Sequence, residues 1–148
     1  MRYETELDRQ VEEQILQDAQ LRTGRRWDAH KLSGKNESRY HADYFITDLD
    51  SKRSFWLEVK DRPTWNPEWA SVLLDVCKYR NLRNLATTTG LPAIFMPRLA
   101  GVLYSVNLTE DHLRLCGFAW RGRTDRNDPD DGQPCILIPL TVFTEVGA

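Results

Sequence analysis

Two segments alternate as half-buried strands do, and the charges that interrupt them restrict what this chain can fold into. Arg39–Thr47 reads RYHADYFIT and Ser54–Pro63 reads SFWLEVKDRP, with turn-rich sequence between them. Successive strand residues point to opposite faces, so Glu58 and Lys60 share one face of the second strand. A hairpin turning at Asp50-Ser51 sets Asp43 opposite Glu58, His41 opposite Lys60, Tyr44 opposite Leu57 and Ile46 opposite Phe55. One face then collects Ala42, Tyr44, Ile46, Phe55, Leu57 and Val59, all suited to a core. The other collects Asp43, Glu58 and Lys60, with Phe45 and Trp56 beside them. Any even loop length keeps this sorting, and a slip of one residue destroys it.

Carboxylates opposed across two strands repel each other. A divalent cation between them reverses the sign of that interaction, and hard oxygen donors suit magnesium or manganese. Lys60 is placed to hold or activate a water, or to stabilise charge developing on a phosphate. The competing reading is a solvated charged face, since a Glu-x-Lys tripeptide on its own is common at this composition. The information lies in its position inside an apolar strand and in Asp43 on the matching face.

The rest of the chain reads as one domain over residues 1–148, long enough for a sizeable core. Leu7, Val11, Ile15, Leu16 and Ala19 recur at helical spacing, which predicts a helix over about 4–21 with Gly24 as its stop. A weak strand is expected at 26–32. Pro63 and Pro67 lead into a second expected helix over about 68–88, striped by Trp69, Val72, Leu73 and Val76. Ala93–Met96, Val102–Val106, Leu113–Cys116 and Cys135–Pro139 read as strands, and Trp120–Gln133 as a polar loop. The order is helix, three strands, helix, strand, then a β-rich tail. That is an α/β domain with a central mixed sheet flanked by helices, its core at about 4–97 and a β-rich extension at about 98–148.

Other features bound the function. The opening MRYETELDRQ lacks the apolar core of a signal peptide, and no apolar run reaches the length of a membrane span, so an intracellular, cytoplasmic protein is expected. Cys77, Cys116 and Cys135 form no paired spacing, and His30, His41 and His112 show none either, which indicates neither a zinc site nor a disulfide framework. A net charge of −2 argues against a general nucleic-acid coat, while local patches still allow a nucleic-acid surface. Fifteen arginines against five lysines suit bidentate phosphate contacts.

Asp43, then fourteen residues, then Glu58-Val59-Lys60, on a hairpin between two helices, resembles the PD-(D/E)xK nuclease superfamily. That resemblance implies a restriction-endonuclease-like αβββαβ core. It implies that Asp43 and Glu58 bind Mg²⁺ (Mn²⁺ substituting), that the Val59 carbonyl is a further ligand, and that Lys60 orients the attacking water. Members similar to Holliday-junction resolvases add a glutamate from the first helix; Glu12 is the choice here, Glu13 the neighbouring candidate, and an exposed helix face the competing reading. Alanine occupies position 42, where the name-giving proline would sit.

On the second helix, Lys78, with Tyr79 and Arg80, falls where superfamily members place a polar residue near the site; a solvated face competes. Arg121, Arg123 and Arg126 in WRGRTDR grip phosphates or belong to a solvated loop. The DPDDG that follows reads as a turn, and the 35–39 loop is a further substrate candidate. The function expected is a metal-dependent nuclease hydrolysing phosphodiester bonds, in DNA, for repair, recombination or phage-type processing, with junction resolution in range and a homodimer to cut two strands. The alternatives are an inactive nucleic-acid-binding or assembly module that keeps the fold, and an unrelated enzyme with an accidental Glu-x-Lys.

Overall fold

The computed structural model describes residues 6–32, 42–109, 116–121 and 133–148. Helix α1 (Glu6–Thr23) opens the chain, followed by strands β1 (Trp27–Lys31), β2 (Tyr44–Asp48) and β3 (Ser54–Arg62). Acidic Glu6 and Asp8 in its first turn and Arg22 in its last suit the α1 dipole, and Gly24 follows in the left-handed conformation at φ 67°. Buried Ile15, Leu16 and Ala19 are the face it lays on the sheet.

The β2–β3 hairpin has the expected register, with Tyr44 opposite Leu57, Phe45 opposite Trp56 and Ile46 opposite Phe55. Its connection is a four-residue loop, 49–52, and not a two-residue turn at Asp50-Ser51. Lys52 donates its N–H to the Asp48 carbonyl at 2.8 Å and sits at φ 62°, while the Asp48 N–H reaches the Arg53 carbonyl at 2.8 Å. Both lengths are even, so the faces stay sorted. Ala42 is the exception: it precedes the strand and joins the cluster on the opposite side from Tyr44 and Ile46.

The second expected helix is shorter than its apolar stripe suggests. A 3₁₀ turn at Pro67–Trp69 ends in left-handed Ala70, strand β4 (Ser71–Asp75) follows, and helix α2 runs only over Val76–Thr89. Val72 fits both the helical stripe and a strand alternation with Leu74, the two buried residues of β4. Pairing with the apolar strand β8 decides between the two periods, a tertiary effect overriding local pattern.

After α2 come β5 (Ala93–Leu99), β6 (Val102–Asn107), β7 (Gly117–Arg121), β8 (Gln133–Pro139) and β9 (Thr144–Glu145). The stretch read as a polar loop from Trp120 therefore begins and ends in strand. A six-stranded sheet has the order β1-β2-β3-β5-β6-β9, and a three-stranded sheet the order β4-β8-β7. Strand β3 runs parallel to β5, which α2 makes possible as the crossover; the other pairs are antiparallel.

Each face of the large sheet has its own core. Ile15, Leu16 and Ala19 of α1 join Tyr44, Ile46, Leu57, Val59 and Met96 on one side. Tyr79 and Leu82 of α2, Val72 and Leu74, and Ile136 and Ile138 join Phe95 and Leu99 on the other. No helix among the described residues is long and apolar enough to cross a membrane. The expectations for residues 35–39, His41, His112, the 113–115 part of a strand, Arg123, Arg126 and DPDDG lie outside the described residues.

Candidate active site

Asp43 stands immediately before β2, where backbone pairing with β3 ends at Tyr44–Leu57. Its side chain continues the ladder: Oδ2 accepts the N–H of Val59 at 3.0 Å. This turns the carboxylate toward Glu58, within hydrogen-bonding reach. Glu58 lies in mid-β3 opposite Phe95, with its side chain only 4% exposed. Lys60, two residues on, is exposed on the same face, and its charge favours ionised Glu58. The three residues picked out from the sequence therefore meet, on the α2 side of the sheet.

A fourth joins them. Asp75 caps α2, its Oδ1 accepting the N–H groups of Cys77 at 2.6 Å and Lys78 at 3.3 Å. The helix start that this cap fixes points Lys78 at β3, and its Nζ lies 3.1 Å from both Glu58 oxygens. Lys78 was expected near the site on the second helix, as a residue for nucleic acid, with a solvated face as the competing reading; here it lies at the site and grips the carboxylate.

Burial pushes the Glu58 carboxyl well above the usual range, and the neighbouring Asp43 charge pushes the same way; Lys78 and Lys60 oppose them. Burial disfavours the Lys78 ammonium, yet the charges of Glu58 and Asp43 outweigh it and raise Lys78 above its ordinary value. Lys78 therefore stays charged at neutral pH.

Glu12 is placed differently. Its Oε2 accepts from Lys31 Nζ at 2.6 Å and from the Tyr44 hydroxyl at 3.2 Å. Lys31 is the cross-strand neighbour of Tyr44, and its ammonium lies 4.8 Å from that ring's centroid. Burial first, then the Glu12 charge, raises the Tyr44 hydroxyl above its ordinary value. Tyr44 faces α1, so this cluster occupies the other side of the sheet from Glu58. Glu13 is exposed.

Among the described residues no three or more of His, Cys, Asp and Glu gather to hold a metal. The carboxylate set is the pair Asp43 and Glu58. Of the remaining candidates, Tyr79 is buried and donates its hydroxyl to the Thr109 carbonyl, Arg80 is exposed, and Arg121 ends β7 opposite Gln133.

Two adjacent hard-oxygen donors with two ammonium groups beside them form a site that can hold a divalent cation and face an anionic substrate. Archaeoglobus fulgidus Hjc, described as a Holliday junction resolvase from an archaeal hyperthermophile, superposes with a TM-score of 0.57 at 13% identity. The match covers 93% of this chain and 90% of that one, which establishes a shared fold. A search among curated proteins finds no match. A family model described as "Phage putative PDDEXK endonuclease" matches residues 1–146, and the chain belongs to that endonuclease family.

Proposed function

We propose that this protein is a divalent-metal-dependent endonuclease that hydrolyses phosphodiester bonds in DNA. The observation that carries the reading is the side-by-side placement of Asp43 and buried Glu58, with Lys60 exposed on the same face. Two carboxylates close together in a low-dielectric site repel each other, a divalent cation reverses that repulsion, and hard oxygens select Mg²⁺ or Mn²⁺. Asp43 and Glu58 would hold the metal, with the Val59 carbonyl as a further ligand. Glu12 enters as an outer carboxylate engaged with Lys31 and Tyr44. When bound, the cation supplies Lewis acidity and neutralises charge on the phosphate.

The chain's own groups do the rest. Asp43 is fixed in place beside Glu58 by the Val59 N–H. Lys60, solvent-exposed, orients the attacking water and stabilises negative charge as it builds on the phosphate oxygens. Arg121 and Arg123 grip flanking phosphates from the 120–133 segment.

Branched DNA is the first substrate to try, since the fold is that of a resolvase, and symmetrical cutting of two strands calls for two copies of the chain. Cleavage is measured on single-stranded, duplex and four-way-junction DNA with Mg²⁺, Mn²⁺ or chelator. Wild type cuts only with metal, and Asp43→Ala, Glu58→Ala and Lys60→Ala do not cut. Undiminished cutting by Asp43→Ala would remove it from the site, and binding without cutting under every metal would return the protein to the class of inactive modules.

A further inference from the structure

Lys78 has two contradictory features. Its ammonium is held symmetrically, 3.1 Å from each oxygen of Glu58, where it blocks the carboxylate that the proposed function assigns to a metal. Yet it projects from the first turn of α2, the end of a helix at which the dipole disfavours a cation. Asp75, the nearest anion on its own element, is already engaged with the Cys77 and Lys78 N–H groups of that turn. Lys78 is thus retained mainly by Glu58 and Asp43 across the gap to β3.

Charge counting shows how that hold would respond to a metal. With all four ionised, Asp43, Glu58, Lys60 and Lys78 sum to zero, and Asp75 adds one negative charge on the α2 side of Lys78. A divalent cation on the two carboxylates would outweigh their hold on Lys78 and repel its ammonium. The Lys78 side chain is 31% exposed, against 4% for Glu58, so of the pair it is the lysine that reaches the surface. Four methylenes let it swing without moving α2.

We infer that Lys78 is a tethered counter-ion: it occupies Glu58 while no metal is bound, and a divalent cation displaces it into the site to contact the substrate phosphate. This rests on the proposed metal site. It reconciles the inward contact seen here with a role toward nucleic acid, and it couples metal binding to the appearance of a new phosphate-binding charge.

The experiment reads displacement directly. Reductive methylation of the whole protein, mapped by mass spectrometry, is carried out without metal and with saturating Mn²⁺, Mn²⁺ occupancy being followed separately by electron paramagnetic resonance. Lys78 is protected without metal, and its methylation rate rises by about tenfold with Mn²⁺, the scale set by losing one ion pair. Lys60, already exposed, changes little. In Glu58→Gln, Lys78 reacts rapidly with no metal present.

Stoichiometric Mn²⁺ binding with Lys78 still protected overturns the displacement and leaves the metal site standing. Absence of Mn²⁺ binding overturns both. Lys78→Met, once its urea midpoint shows it folded, binds Mn²⁺ at least as tightly as wild type. Binding weakened more than about tenfold would make Lys78 a support for Glu58, not its competitor, and would also overturn the inference.

Discussion

Two carboxylate–lysine pairs lie on opposite faces of one sheet, and they differ in what surrounds the carboxylate. Glu12 and Lys31 meet at 2.6 Å with side chains 16% and 26% exposed, and the Tyr44 hydroxyl also donates to Glu12. Glu58 and Lys78 meet at 3.1 Å, with Glu58 more buried at 4% and a second carboxylate, Asp43, against it. The first cluster pairs Glu12 with a lysine and a neutral hydroxyl, bracing α1 to β1 and β2. The second sets a further carboxylate, Asp43, in a drier place, with Lys78 and Lys60 offsetting the two. Bringing two carboxylates together costs a cluster built only for stability, whereas a divalent cation would use both.

Replacing Glu58 should separate the two pairs most sharply. Glu58→Gln keeps the shape but removes a ligand charge, and cleavage is expected to fall about 1,000-fold. Mn²⁺ binding, titrated without DNA, should fail in the same variant. Preserved Mn²⁺ affinity would show that Asp43 alone carries the site.

Next in size are the lysine deletions. Removing one partner of a fully buried pair costs about 3–5 kcal/mol, and Lys78 is partly exposed, so Lys78→Ala is expected to cost about 2 kcal/mol in metal-free urea unfolding. Lys31→Ala leaves Glu12 with the Tyr44 hydroxyl and some solvent, and about 1 kcal/mol is expected. Equal losses would mean that the extra anion beside Glu58 has no energetic consequence.

The same contrast has a pH signature. The Glu58 carboxyl is raised above its ordinary 4.5. A raised group contributes stability that is fully present below the unfolded value and is lost as pH climbs to the folded one. Without metal, the urea midpoint should therefore decline from about pH 4.5 upward, and Glu58→Gln should remove that decline. Asp48, at the hairpin loop, has the opposite sign. The Ser51 N–H foremost, with Asp50 and Arg25, lowers it below its ordinary 3.8, so its contribution is present above that value and lost on acidification. Asp48→Asn should flatten only the acid limb.

These two carboxylates also mark where the sequence could be read. The hairpin was legible because its information is local: alternation, an even loop and one charged face fix Tyr44 opposite Leu57, and Asp43 and Glu58 follow. An error in the turn did no harm, since a four-residue loop preserves parity. Segment 68–75 was not legible, because Val72 serves both a helical stripe with Trp69, Leu73 and Val76 and a strand alternation with Leu74, and the strand partners, Ile138 and Ile136, come from more than sixty residues later. That misassignment moved the start of α2, though Lys78 was still read as near the site. The surroundings of Glu12 were hidden for another reason: helical phase shows which way it faces, but not that Lys31 and Tyr44 are waiting there.

Glu12→Gln is the smallest test and the one that decides whether the comparison is real. The amide still accepts from Lys31 and Tyr44 but loses the charge, so stability should drop by less than about 1 kcal/mol. Relief from that negative charge should lower the Tyr44 hydroxyl pKa, measurable by ultraviolet titration, because Glu12 is one of the groups raising it. Cleavage should stay within about tenfold of wild type, as for an outer carboxylate that influences a site without holding its metal. A loss matching that of Glu58→Gln, together with lost Mn²⁺ binding, would mean that Glu12 leaves Lys31 and Tyr44 to join the metal when substrate is present. The two faces of the sheet would then belong to a single site.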